Sequence, residues 1–286
     1  MKTKTRERLK TIPGLVNVVR FFRNARNFYS SPYGAIDEAE LAIFIAIKND
    51  IKVVFDVGAR LNTDYLGNSI GVGAPQTFYL FEPNPIYYKS LCEHVDVLAN
   101  SARVKPQVVV VNLGLGDKAG YFTYYEDVQS FVKDNGFRQS EVGNEKVFEI
   151  RTLDDFCAER SIRSIDFLKI DVEGLDYQVL RGGASIIRAT CNYCQFEFGV
   201  GKTADGSINT PEKYYQFFGE DFDLYYVRNP QHPIHKEMPH LTELTPLAGD
   251  FRDKIEEHLY AGSGCNVLAV RKSHSPPAEF GKLLSR

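Results

Sequence analysis

The sequence predicts an α/β protein, a mostly parallel, doubly wound sheet with an N-terminal helical extension, and three observations lead there. Short apolar runs recur along the chain, and each stops at a turn or an acidic residue. Stretches with apolar residues at helical spacing separate them. The runs are mostly apolar rather than strictly alternating, as strands buried on both faces are, and such strands separated by helices form parallel sheets.

The elements follow in order. Residues 1–50 read as a basic helical extension, and its part 35–48 places Ala39, Ile43, Phe44 and Ile47 on one helical face. Residues 53–57 form the first strand, which turns at Gly58. Residues 77–81 form the second, ending at Glu82, Pro83 and Asn84, and 86–99 read as a helix. The third strand, 108–113, ends in Gly114, Gly116 and Asp117. Residues 121–150 hold alternating segments that suggest an extra hairpin above the sheet. Residues 153–160 read as a helix with Thr152 as N-cap. Strand 167–170 ends in Asp171, Val172, Glu173 and Gly174, and strand 195–198 ends at Gly199. Two further strands, 223–228 and 266–271, complete the sheet. The long insertion between them, rich in Pro and His, is expected to be a lid or a mobile loop. Residues 51–286 thus make one domain, with a cofactor half over 51–200 and a sheet-completing, substrate or lid part over 201–286.

Bulk properties exclude several classes. With 286 residues, 43% of them hydrophobic, the chain can bury one large core. A net charge of -3 gives no overall electrostatic case for nucleic acid. The charge is uneven, however: residues 1–28 carry eight basic side chains and one acid, leaving a net -10 elsewhere. The five cysteines are scattered, which does not look like a disulfide framework. Cys191 and Cys194 lack the second pair or the histidine of a zinc site, so packed thiols are expected and no structural metal. No apolar run approaches the ~20 residues of a membrane span. The leader is interrupted by Arg20 and shows no cleavage site, so a cytoplasmic location is expected.

Open parallel sheets bind ligands beyond the carboxyl ends of their strands. Acids fall at those ends here: Asp56, Glu82, Asp117, Asp171 with Glu173, and Glu197. They suit a ligand rich in hydroxyl and amino groups. Glu82 is placed to bind a ribose diol. A dinucleotide enzyme would also want G-x-G-x-x-G after the first strand. The turn at 56–63 has only Gly58, which favours a nucleoside without phosphates, such as S-adenosylmethionine. A nicotinamide-dependent oxidoreductase and a non-catalytic nucleoside-binding scaffold are the rival readings.

Four blocks then carry a resemblance: Phe55-Asp56-Val57-Gly58-Ala59, Phe81-Glu82-Pro83-Asn84-Pro85, Thr152-Leu153-Asp154-Asp155-Phe156, and Leu168-Lys169-Ile170-Asp171-Val172-Glu173-Gly174 followed by Val179-Leu180-Arg181-Gly182-Gly183. Over roughly residues 50 to 200 the chain resembles the FkbM-type methyltransferases. The resemblance implies a Rossmann-like class I methyltransferase fold, S-adenosylmethionine as cofactor, and O-methylation of a sugar, glycan or natural-product hydroxyl. It also implies roles. Asp56, Gly58 and Ala59 would form the first cofactor turn, Glu82 would hold the ribose, and Asp117 would lie near the adenine. Asp171 and Glu173 would face the transferred methyl and the acceptor. The family's turn usually runs Gly-Ala-Asn with another glycine two residues on; here Arg60 and Asn62 stand there. Asn62 tolerates positive φ and can keep the turn. Arg60 would repel a sulfonium, so it should point away, to Asp64 or to an anionic acceptor.

A sugar hydroxyl gains from a general base. Asp171 is preferred, for its rigid strand end; Glu173, Glu197, His232, His235 and His240 are the alternatives, a histidine such as His235 having the better-matched pKa. In another version Asp171, Glu173 and Glu197 hold Mg²⁺, which would acidify a bound hydroxyl. The basic leader, with apolar residues among its cations, is expected to dock on an anionic membrane face, or else to cover the catalytic domain or a second subunit of a homodimer.

Overall fold

Local sequence sets the strands, and their order sets the site. The computed structural model describes residues 43–274 except 46, 62, 63, 70–75, 102–105, 126–144, 173, 203–207 and 243. These residues all belong to the unit Ala39–Arg286. The leader, Asn62 and Glu173 lie outside the described residues. Of the helix expected at 35–48, residues 43–45 and 47 are helical and 48–50 turn.

The first strands are β1 (Val53–Val57), β2 (Thr77–Phe81) and β3 (Gln107–Val111). After β1 comes the short α1 (Asp64–Ser69), and α2 (Pro85–Ser101) joins β2 to β3. Pro85 sits at the start of α2, where a missing N–H costs nothing, and Asn84 Oδ1 accepts from Ile86 N at 2.9 Å. A second, three-stranded sheet contains β4 (Gly114–Leu115), β5 (Gly120–Tyr125) and β6 (Glu145–Arg151), with β6 antiparallel to β5 and parallel to β4. This is the hairpin that the alternation suggested. It also corrects one expectation: β3 ends at Val111, so Asp117 follows β4 of the other sheet rather than a strand end of the main one.

Helix α3 (Leu153–Glu159) is capped by Thr152, whose Oγ1 accepts from Asp155 N at 3.1 Å. After β7 (Phe167–Ile170) come α4 (Asp176–Gly182) and α5 (Ala184–Thr190). Asp154 caps α5 in turn, accepting from Ser185 N and Ile186 N at 3.0 and 2.9 Å. The Thr-Leu-Asp-Asp block is therefore a double cap. Then follow β8 (Tyr193–Phe198), the hairpin β9 (Gly201–Lys202) with β10 (Ile208–Asn209), and α6 (Pro211–Phe218).

The chain closes with β11 (Phe222–Val227), α7 (Ile234–Glu237), β12 (Leu244–Pro246), α8 (Gly249–Tyr260) and β13 (Cys265–Arg271). The insertion expected to be a lid is thus largely regular structure. Its helix α8 buries Phe251, Ile255 and Leu259, a spacing that puts all three on one face, and β12 extends the sheet edge.

The main sheet runs β12-β11-β13-β8-β7-β1-β2-β3. Strands β3, β2, β1, β7 and β8 are parallel, and β13 lies antiparallel between β8 and β11. Strand order reverses at β1, so a crevice opens beyond the carboxyl ends of β1, β2 and β7. Aromatic side chains fill the core beneath it. Phe81 and Phe156 meet at 4.8 Å, and Phe196 stacks on both Tyr214 and Phe218 at 5.5 and 5.2 Å.

Candidate functional site

The turn after β1 is built by two close approaches. Gly58 has φ 83, and a Cβ there would run into the carbonyl oxygen of Asp171 at the end of β7, so only glycine fits. Gly58 N and Ala59 N both donate to Phe81 O, at 3.0 and 2.9 Å, which ties the turn to the end of β2. Arg60 follows at φ 52, and its N–H donates to Glu82 Oε2 at 2.8 Å. The N–H groups of Gly58, Ala59 and Arg60 are therefore all spent within the protein.

Glu82 is 5% exposed, and its Oε1 accepts from Asn84 N at 2.8 Å. Each carboxylate oxygen keeps a second lone pair, so the pair can accept from two hydroxyls of a ribose. Burial is the main cause that pushes its pKa up to about 7, against the pull of its two backbone hydrogen bonds and of Arg60. The Arg60 guanidinium lies 5.4 Å from the centre of the Tyr87 ring. The cation thus rests on an aromatic face; the side chain of Asp64 lies outside what the structure describes.

Register makes the second feature. Asp56 of β1 lies opposite Lys169 of β7, and Lys169 opposite Gln195 of β8, so three polar side chains share one face in a buried row. Lys169 Nζ is 3.4 Å from Asp56 Oδ1 and 3.3 Å from Asp171 Oδ2. Gln195 Nε2 donates to Tyr65 OH of α1 at 3.3 Å. The side chains of Lys169 and Asp56 are at most 4% exposed, whereas that of Asp171 is 57% exposed. Lys169 thus holds an accessible carboxylate by one oxygen at the mouth of the crevice. Sequence reading passed over Lys169 as part of a motif. The signal was there: a lone charge inside a four-residue apolar strand must find a partner.

Other candidates have partners of their own. Asp117 Oδ2 is 3.3 Å from Arg181 Nη1, an ion pair that joins β4's loop to α4. His235 Nε2 shares a 3.2 Å hydrogen bond with Tyr226 OH of β11. Strand β11 is three places from β7, about 14 Å at ~4.8 Å per strand, so the structure does not bring His235 to Asp171. His232 is buried, which holds its pKa down, and its Nδ1 accepts from Ile234 N. His240 is exposed. Glu197 stands near the end of β8, with the buried Asp176 beside it. Among the described residues no three His, Cys, Asp or Glu are placed to hold a metal ion, and no helix is long and apolar enough to cross a membrane. Cys191 and Cys194 are buried free thiols, and burial pushes the Cys194 thiol up.

The profile of the methyltransferase FkbM domain matches residues 56–261. Among solved structures, methyltransferase FkbM from Methylobacillus flagellatus KT is similar at 15% identity and TM-score 0.44, over 77% of this chain and 44% of that one. This chain thus spans less than half the length of that protein. The O-methyltransferase from Bacillus cereus, solved in complex with SAH, is similar at 10% identity and TM-score 0.41, over 90% of each chain. A putative rRNA-methylase from Clostridium thermocellum is similar at 8% identity and TM-score 0.43, over 85% of this chain and all of that one. No curated protein sequence matches. The class is that of the S-adenosylmethionine-dependent methyltransferases, with their Rossmann-like α/β fold. The chain belongs to the FkbM methyltransferase family.

Proposed function

We propose that this methyltransferase methylates a hydroxyl group of a sugar, glycan or small natural product, with Asp171 as the general base. The observation that carries the reading is the placing of Asp171, tethered by Oδ2 to the buried Lys169 yet more than half exposed where the strand order reverses. S-adenosylmethionine supplies an electrophilic methyl group. Gly58 lets the backbone of its turn lie against the end of β7, and Glu82 accepts hydrogen bonds from a ribose diol. Asp56, Gly58 and Ala59 form that turn's wall. Asp171 orients the acceptor hydroxyl and takes its proton as the oxygen attacks, so much of the rate comes from holding the reactants in line. The acidic crevice favours a neutral polyol over nucleic acid as the acceptor.

Calorimetry with S-adenosylmethionine, S-adenosylhomocysteine and NAD tests the cofactor, since binding of NAD alone would return the oxidoreductase reading. Labelled cofactor incubated with fractionated extract, followed by mass spectrometry, identifies the acceptor. Asp171→Asn should keep S-adenosylhomocysteine affinity within a few-fold and lose most turnover. Turnover that survives would move the base elsewhere, and full activity in EDTA would remove Mg²⁺.

A further inference from the structure

One histidine of the connection between β11 and β12 is buried and has no task in the proposed reaction. His232 is 5% exposed, and Ile234, two residues on, is fully buried. The Nδ1 atom of His232 accepts from the backbone N–H of Ile234 at 3.2 Å. That N–H opens α7, and a helix leaves its first N–H groups without partners of its own. The ring therefore does for α7 what a capping side chain does. An acceptor nitrogen carries no proton, so the contact exists only while the ring is uncharged, with its proton on Nε2.

The surroundings oppose a charge on this ring. Its centre lies 5.8 Å from the ring of Tyr226 on β11 and 5.4 Å from that of His258 on α8. Behind Tyr226 stands His235 of α7, whose Nε2 shares a 3.2 Å hydrogen bond with the phenol oxygen. Beyond His258 stands Glu237 of α7, 3.1 Å from its Nε2, and Lys254 of α8 holds the other oxygen of Glu237 at 3.4 Å. Burial is the main cause that keeps the His232 pKa below its ordinary value, against the pull of the Ser263 backbone. His258 and His235 add smaller pushes in the same direction as burial. The backbone of the segment is folded on itself, with His232 N donating to Asn229 O, His235 N to His232 O and Met238 N to Ile234 O. Strand β11 is antiparallel to β13 and β13 to β8, so β11 runs with the parallel strands. Segment 229–238 therefore leaves β11 on the side of the sheet where ligands bind.

We propose that His232 is an acid-sensitive latch: uncharged, it fastens segment 229–238 against β11 and α8, and protonated, it releases that segment. A proton on Nδ1 sets a second N–H against that of Ile234, so two donors meet and neither is satisfied. It also buries a cation one ring away from His258. Once the segment opens, the ring takes up its proton near the ordinary histidine value of about 6.5. The fastening is therefore complete above that pH and is lost as pH falls below it, the sense required of a group whose pKa is lowered on folding. The latch does not depend on which acceptor is methylated.

Amide hydrogen exchange at Ile234, corrected for the intrinsic effect of pH on exchange, reads the latch without any turnover. Opening there should rise about fivefold or more from pH 7.5 to 5.5, one proton setting a limit of tenfold per pH unit. Amides of β7 and β8 should not follow. In His232→Asn the carboxamide oxygen takes the place of Nδ1, accepts from the N–H two residues on as asparagine does in an Asx turn, and cannot titrate. Protection in that variant should match the wild type at the higher pH and persist at the lower one. His232→Leu should lose it at both. In the wild type, nitrogen NMR of the His232 ring and of the Ile234 amide should give one shared midpoint, below the ordinary histidine value. Four results overturn the latch: equal wild-type protection at both pH values, a response in His232→Asn as large as the wild type's, protection kept in His232→Leu, or separate midpoints for ring and amide. The last needs no variant, so it decides the matter even where a substitution prevents folding.

Discussion

Glu82 offers the sharpest quantitative test, because its carboxyl is buried, doubly hydrogen-bonded and titrates near neutrality. Its pKa rises from an ordinary 4.5 to about 7 on folding, chiefly through burial. The folded protein therefore holds this proton more tightly than the unfolded chain. The resulting stabilisation is complete below pH 4.5 and is lost as pH rises to about 7. At 1.36 kcal/mol per unit, the difference amounts to about 3 kcal/mol. Glu82→Gln removes the titration. It also turns an amide N–H toward one of the two N–H groups that Glu82 accepts from, a pH-independent cost of about 1–3 kcal/mol. Urea unfolding of both proteins between pH 4.5 and 7.5 should thus show the wild type losing ground steadily relative to the variant, and subtraction cancels the other titrations. Cofactor binding moves the opposite way. Ribose hydroxyls donate to the ionised form, so S-adenosylhomocysteine affinity should rise up to tenfold per pH unit below about 7 and level off above it. A flat stability difference together with equal affinity at pH 5.5 and 7.5 would refute the reasoning.

Three further outcomes are expected. Lys169→Met leaves Asp56 buried without its cation and should cost about 3–5 kcal/mol, most of it recovered in Asp56→Asn/Lys169→Met, as urea titrations will read. Gly182→Ala drives a methyl group into the backbone carbonyl of Gly116, where nothing can yield cheaply, so a loss of about 1–3 kcal/mol or more is expected; an unchanged melting temperature would contradict that packing. The leader, with eight cations and one acid in residues 1–28, should pellet the full chain with anionic but not neutral liposomes, while a chain starting at Tyr29 stays in the supernatant. Equal behaviour of the two chains would assign the leader to packing or to a dimer contact.

Much of the fold was legible because its determinants are local. Runs such as Val53–Val57 and Phe167–Ile170 are mostly apolar, are buried on both faces and end at residues that break strands. Thr152 and Pro85 mark helix starts through caps that need only their own neighbours. Glu82 could be singled out because the distance along the chain from the first turn to the second strand end is short and regular. What the sequence by itself determined is therefore the set of elements, their parallel character and the acid at the end of the second strand. Only the tertiary structure decided that β13 lies antiparallel between β8 and β11, that Asp117 pairs with Arg181, and that His235 bonds a strand three places from β7. It alone placed Lys169 between Asp56 and Asp171 and set Asp176 beneath Glu197. Those facts depend on register between segments far apart in the chain. A shift of one residue would turn Lys169 to the opposite face, and no local pattern of residues encodes that choice.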